Sequence, residues 1–136
     1  MRLIETYIVE DSPVILEDLI ATLEELAPVR VVGTAADESS AVQWLARPAS
    51  VVDLVIVDLF LAGGSGLGVL RAVQAMPRAH RLVVLSNYAS PDMRRKCLEL
   101  GAERVFDKSN EIDALILYCG RLAAGGPGSA APAAAA

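Results

Sequence analysis

Five times along this chain a short apolar run gives way to an amphipathic stretch with helical spacing, and that alternation restricts the fold more than any other feature. Residues 3–9 (LIETYIV) read as a strand. Ser12 then offers a helix N-cap, and Pro13 suits the first helical position, where a missing N–H does no harm. Leu16, Leu19, Ile20, Leu23 and Leu26 follow at helical spacing, with Glu17, Asp18, Glu24 and Glu25 on the other face. Pro28 closes this helix. Residues 29–34 (VRVVGT) make a second strand, and 37–47 a second helix that starts near Asp37 and turns Val42 and Leu45 inward. The run 51–57 (VVDLVIV) is apolar apart from Asp53, as expected of a central parallel strand buried on both faces.

A Gly-rich loop at 63–66 leads into a helix over about 66–76, ended by Pro77. Residues 81–86 (RLVVLS) give a fourth strand. Ser90 and Pro91 repeat the cap-plus-proline start, and Gly101 stands where a left-handed helix stop is needed. Residues 103–107 form a short fifth strand, and a last helix over about 111–123 puts Ile112, Leu115, Ile116 and Cys119 on one stripe. Five strand–helix units of this length predict an α/β domain over residues 1–123, with a parallel sheet covered by helices on both faces. From residue 124 onward the chain holds only Ala, Gly, Pro and Ser, a tail with nothing to bury that is expected to be disordered.

Composition narrows the function classes. At 136 residues there is room for one sizeable core and no second folded unit. Twelve basic against 17 acidic residues give a formal charge of −5 with no basic run, which argues against nucleic-acid binding through phosphate neutralisation. No apolar run is long enough for a membrane span, so a cytoplasmic protein is expected. Cys97 and Cys119 lie in helical patterns without metal-ligand spacing and read as reduced, buried thiols.

In a doubly wound sheet the functional site lies at the carboxyl ends of the strands, where the strand order switches. The residues just past those ends are Glu10 and Asp11, Asp58, Ser86 and Lys108. Three carboxylates, a hydroxyl and an ammonium therefore converge. Two carboxylates about 5 Å apart repel by roughly 3 kcal/mol at an effective dielectric near 20, and a third adds to this. Such a cluster either raises a pKa or holds a cation, and hard carboxylate oxygens with open positions suit Mg2+, which keeps waters and bridges to phosphate. With the cluster neutralised, a carboxylate oxygen of Asp58 can attack a phosphoryl group, a transfer that needs in-line positioning and charge stabilisation. Lys108 and the Ser86 hydroxyl are suited to hold the remaining phosphoryl oxygens.

Each of these residues also has a plain structural reading. Asp58 could be a helix cap or a solvated loop residue, Glu10 and Asp11 acidic caps before the first helix, Ser86 a partner for neighbouring backbone, and Lys108 a surface lysine. Convergence at four strand ends is what favours the chemical reading.

The acidic pair Glu10-Asp11, Asp58 closing one hydrophobic strand, Ser86 closing the next and Lys108 after the last resemble the receiver domains of two-component response regulators. The segments EDSPVI (10–15), DLFLAGGSGLGVL (58–70) and GAERVFDKS (101–109) carry the likeness further, over about residues 3–123. The resemblance implies a flavodoxin-like (βα)5 sandwich with strand order 2-1-3-4-5. It implies Asp58 as phospho-acceptor, served by a phosphohistidine on a sensor histidine kinase or histidine phosphotransfer protein. It also implies a metal held by Asp11, Asp58 and the backbone carbonyl of Phe60, with Glu10 acting through water. Lys108 would contact the phosphoryl group and Ser86 would swing toward it. Such proteins are switches that catalyse only their own phosphorylation and often dephosphorylation. With no output domain following, signalling is expected through a downstream protein, a homodimer or a phosphorelay, with the fourth and fifth helices as the usual output face.

Three positions depart from the family pattern. The slot three residues before the lysine, usually aromatic, holds Val105, and strand alternation turns the neighbouring Phe106 to the other face. Ser109 follows Lys108 where many relatives have proline, so a cis-proline turn is not carried over. Asn87 follows Ser86 where a smaller residue is common, and Phe60 and Tyr88 flank the site, where their bulk is expected to slow water attack on a phosphoryl group.

Other features are less telling. His80 reads as a solvated loop residue and Trp44 as packing. Arg94, Arg95 and Lys96 form a basic cluster on the fourth helix, either a solvated face or part of a partner surface. An aspartyl-nucleophile phosphohydrolase would need a second acid where Phe60 stands. A flavin module would need a Ser/Thr/Gly phosphate loop where Glu10-Asp11-Ser12-Pro13 would repel phosphate. A degenerate receiver that acts as a phosphorylation-independent interaction module is the alternative that Val105 keeps open.

Overall fold

The computed structural model describes residues 2–50, 52–77, 80–87 and 89–125. Ten elements alternate: β1 (Ile4–Val9), α1 (Pro13–Leu26), β2 (Val29–Ala35), α2 (Glu38–Leu45), β3 (Leu54–Val57), α3 (Gly66–Gln74), β4 (Arg81–Ser86), α4 (Pro91–Glu99), β5 (Ala102–Asp107) and α5 (Ile112–Ala123). The strands form one parallel sheet, as the alternating pattern predicts, in the order β2-β1-β3-β4-β5 that the family resemblance implies. Because β1 lies between β2 and β3, the chain winds one way from β1 to β2 and the other way from β3 onward. The switch point falls at the carboxyl ends of β1 and β3.

Local chemistry sets the helix starts. The side-chain oxygens of Ser12, Asp37, Ser65 and Ser90 accept hydrogen bonds from the amides of Ile15, Ser40, Gly68 and Met93, at 3.3, 2.8, 3.1 and 3.1 Å. Each satisfies one of the orphan donors of a first turn. Ala27, held extended by the following proline, ends α1, and Gly101, at φ +101°, carries the chain out of α4.

The sheet separates two apolar layers. Tyr7, Val9, Val55, Val57, Leu82 and Val84 face Leu45, Val69, Leu70 and Cys97. On the other side Ile4, Ile8, Leu54, Ile56, Val83, Leu85 and Phe106 face Leu19, Leu23, Leu115, Cys119 and Leu122. Successive residues of β3 alternate between the layers, so Leu54 to Val57 are all at most 1% exposed. Burying each such side chain contributes roughly 1.5–3 kcal/mol. Burial pushes the Cys119 thiol up to about 12 and raises that of Cys97. Trp44 is a packing residue, stacked on Tyr7 with centroids 4.2 Å apart.

Strand β3 begins at Leu54, three residues later than the apolar run suggests. Asp53 supplies the reason: its amide donates to Glu5 O and its carboxylate accepts from Glu5 N, both at 2.8 Å, and also pairs with Arg2 at 2.9 Å. The Glu5 amide is thus taken by a side chain in place of a backbone carbonyl. His80 differs from the solvated residue expected, since its ring nitrogens are shielded from water where the loop enters the fully buried β4. Among the described residues no helix is long and apolar enough to cross a membrane.

Candidate functional site

Backbone pairing places the site. The amide of Glu10 donates to Ala35 O at 2.9 Å and that of Asp58 to Val9 O at 3.0 Å, so both acids leave adjacent strands at the switch point. Lys108 is set beside them because its amide donates to Ser86 O at 3.3 Å. A tight junction follows Asp58: Gly66 N donates to Leu59 O at 3.0 Å, and a Cβ on Gly66 would stand 2.2 Å from Asp58 O. Only glycine allows the start of α3 to approach the acid strand so closely.

The predicted cluster assembles. Glu10, Asp11 and Asp58 offer carboxylate oxygens that all lie within 4.8 Å of one another, with Glu10 and Asp58 buried and Asp11 half-buried. Lys108 Nζ donates to Glu10 Oε1 at 2.5 Å and to Asp58 Oδ2 at 3.1 Å. The Phe60 amide donates to Asp58 Oδ1 at 3.3 Å, and Ser12 N to Glu10 Oε2 at 3.1 Å. Burial works against the Lys108 ammonium, but its hydrogen bonds and charge pairing with Glu10 and Asp58 outweigh that and hold its pKa above the ordinary lysine value. Ser86 is fully buried at the end of β4, and the Ser109 hydroxyl donates to Asn87 Oδ1 at 2.8 Å beside it. The Phe60 side chain is half-exposed, whereas Tyr88 lies outside the described residues.

Three such oxygens at this spacing, joined by one ammonium, suit a small hard dication. Oxygen donors of this kind are what Mg2+ takes, and their mutual repulsion is relieved by a positive charge among them.

Val105 and Phe106 part as alternation predicts. Phe106 is fully buried in the layer beneath α1 and α5, while Val105 packs on the other side. The basic cluster on α4 divides. Arg95 pairs with Asp92 at 2.7 Å on the surface, but Arg94 turns inward, donating to Val105 O at 3.0 Å and pairing with Glu111 at 3.4 Å. Glu111 also accepts from Asp107 N at 2.8 Å and so braces the loop that carries Lys108. Sequence reasoning overlooked Glu111, as it did Glu38, whose carboxylate accepts from Ser65 N at 2.9 Å. For Glu38 the available signal was an acid in the first turn of one helix and an unusual density of glycine ahead of the next.

Residues 6–119 match the family model for the response regulator receiver domain. The chain belongs to that family. Among curated relatives, this receiver is 33% identical over 117 residues to protein-glutamate methylesterase/protein-glutamine glutaminase 3 of Myxococcus xanthus, covering 83% of the chain and 32% of the relative. It is 24% identical to the response regulator UvrY of Escherichia coli, covering 78% of the chain and 48% of that protein. The receiver thus spans between a third and a half of these relatives' length. Among solved structures, the receiver domain of the response regulator NarL from Mycobacterium tuberculosis superposes with a TM-score of 0.77 at 24% identity, over 89% of this chain and 98% of that one. The RcsB response regulator of Salmonella typhimurium gives 0.79 at 23%, over 93% and 62%. These two likenesses speak to the fold.

Proposed function

We propose that this receiver accepts a phosphoryl group on Asp58 from a phosphohistidine, with Mg2+ as cofactor, and signals by binding another protein. The observation that carries this reading is the convergence of Glu10, Asp11, Asp58 and Lys108 at the switch point of the sheet. In the transfer an oxygen of Asp58 attacks phosphorus as the bond to the histidine nitrogen breaks, the electron pair staying on that nitrogen; with the other ring nitrogen already protonated, the products are an acyl phosphate and a neutral imidazole. The Phe60 amide on Oδ1 and the Lys108 ammonium on Oδ2 fix the plane of the attacking carboxylate. Lys108 then moves its contact to a phosphoryl oxygen, and the Ser86 hydroxyl donates to another. Asp11, Asp58 and the Phe60 carbonyl would hold the metal directly and Glu10 through water, and when bound it supplies charge neutralisation for the transferring group.

The working unit is residues 1–123, with 124–136 as an appendix, acting in the cytoplasm as a switch and not as an enzyme on outside substrates. A sensor histidine kinase or histidine phosphotransfer protein is the donor. The face of α4 and α5 is the candidate surface for a downstream protein or a second copy, and the chain's charge of −5 argues against nucleic acid.

The test is phosphoryl incorporation from acetyl phosphate, with magnesium or with chelator, in the wild type and Asp58→Asn. Incorporation that requires both magnesium and Asp58 supports the reading. If the wild type takes up no label and also fails to bind beryllofluoride, the reading falls and a phosphorylation-independent interaction module replaces it.

A further inference from the structure

We propose that Glu38 is a positioning residue that clamps the loop between Asp58 and α3 and thereby sets the geometry of the acid site; its consequence for metal binding rests on the reading above. The loop closes on itself where Phe60 pairs antiparallel with Ser65. Nothing in that pairing fixes where the closed loop sits. Glu38, from a different element, does so at two points. Its amide donates to Gly63 O at 3.0 Å, and its carboxylate Oε1 accepts from Ser65 N at 2.9 Å. The amide hydrogen bond belongs to a parallel bridge between Asp37 and Gly63, while the Asp37 carboxylate is occupied in capping α2.

Two glycines, Gly64 in the loop and Gly68 in α3, leave room for this side chain. A Cβ on Gly64 would stand 2.5 Å from Glu38 Cβ, and one on Gly68 would stand 2.3 Å from Glu38 Oε1. Gly64 also needs its positive φ of 77°, but Gly68 lies in the ordinary helical backbone of α3. Its lack of a side chain therefore has no conformational cause, and the Glu38 carboxylate is what occupies the space. Negative charge there is also favoured by the N-terminus of α3. Glu38 is not one of the clustered carboxylates of Glu10, Asp11 and Asp58, and its hydrogen bonds go to the loop. That loop carries Phe60, whose amide holds Asp58 Oδ1, and outer residues that orient ligands commonly change metal affinity by about 10–100-fold.

The clamp makes the effect of Gly68→Ala depend on Glu38. Inside a helix Gly→Ala ordinarily stabilises, here by roughly 3 °C in Tm. In the wild type that gain should be offset, because the new methyl displaces the carboxylate from Ser65 N. In Glu38→Ala it should appear in full. An equal change in Tm in both backgrounds would overturn the clamp, whether or not a metal binds. Magnesium titration calorimetry on the full chain reads the second consequence: Glu38→Ala is expected to weaken binding about tenfold. Glu38→Gln keeps an oxygen for Ser65 N and should stay within about threefold of wild type. Leu23→Val, a core change on the far face, should lower Tm and leave affinity unchanged. If the wild type binds magnesium and Glu38→Ala binds it equally well, the positioning role is refuted. Absence of binding in the wild type would refute the metal reading and leave the clamp to be judged by the difference in Tm change between the two backgrounds.

Discussion

Lys108 Nζ lies 3.1 Å from Asp58 Oδ2, joining the end of β3 to the loop after β5 across 50 positions of chain. The same ammonium reaches Glu10. Lys108 thus does for the acid cluster part of what a dication would do, and it occupies the carboxylate proposed to take the phosphoryl group. On the proposed function, a bound dication and the lysine would compete for charge at the site and act together in the transfer.

Lys108→Met keeps most of the stem and removes the charge. Magnesium should then bind more tightly, on the order of tenfold, because one positive neighbour has gone. Phosphorylation by acetyl phosphate should slow by about 10²-fold, the usual loss for one placed donor at a developing charge. Calorimetry and label incorporation measure the two separately. Affinity and rate falling together would contradict this division of roles.

The same variant isolates a pH effect. The Lys108 pKa is raised in the folded protein despite burial, since Glu10 and Asp58 favour the ammonium. A raised folded pKa gives stability that is fully present below the unfolded value, about 10.4, and is lost as pH rises through the higher folded value. The stability gap between wild type and Lys108→Met, measured by urea unfolding, should therefore be flat from pH 7 to about 10 and close above it. A gap already shrinking by pH 8 would show that the pairing does not hold the proton.

The fold was legible because its signals are local. Ser12-Pro13 and Ser90-Pro91 specify helix starts by chemistry confined to one turn, and the apolar run at 51–57 specifies a strand buried on both faces, although the strand starts only at Leu54. The acid site was legible for a topological reason: once the strand order is known, Glu10, Asp58 and Lys108 must meet. Less visible were residues whose partner is set by packing between elements. Arg94 reads as one charge among three until α4 docks and offers it Val105 O. Glu38 reads as a solvated first-turn acid until α2 and α3 meet. Asp53 interrupts a strand by a bond to Glu5, 48 residues away, which no apolar pattern encodes.

If Asp58 is phosphorylated as proposed, the bulk of Phe60 is expected to slow loss of the group to water. Its ring is 51% exposed two residues beyond Asp58, while its amide is occupied with Asp58 Oδ1. A side-chain change should therefore spare the amide bond and alter access of water to the site. Phe60→Asn is expected to shorten the phosphoryl half-life several-fold with little change in Tm, as followed by loss of label after removal of donor. An unchanged half-life would dismiss the bulk of Phe60 as a brake.

A final prediction separates stability from function. At the opposite end of the sheet, Arg81 Nη1 reaches both carboxylate oxygens of Glu103, at 2.9 and 2.7 Å, and the Tyr118 hydroxyl donates to the same carboxylate. Burial and the neighbouring Glu103 charge hold the Tyr118 phenol well above the ordinary tyrosine range. Arg81 is 7% exposed, so Arg81→Met leaves Glu103 with the phenol alone and should cost about 1–3 kcal/mol, moderated because Glu103 is partly solvated. Adding Glu103→Leu should recover part of that loss, since the stranded carboxylate is then removed. Arg81 opens β4 and Ser86 closes it, a separation of about 16 Å along the strand. Magnesium affinity and phosphorylation rate should accordingly stay at wild-type values in both variants below their melting temperatures. A loss of phosphorylation in the fully folded Arg81→Met protein would mean that the two ends of β4 are coupled.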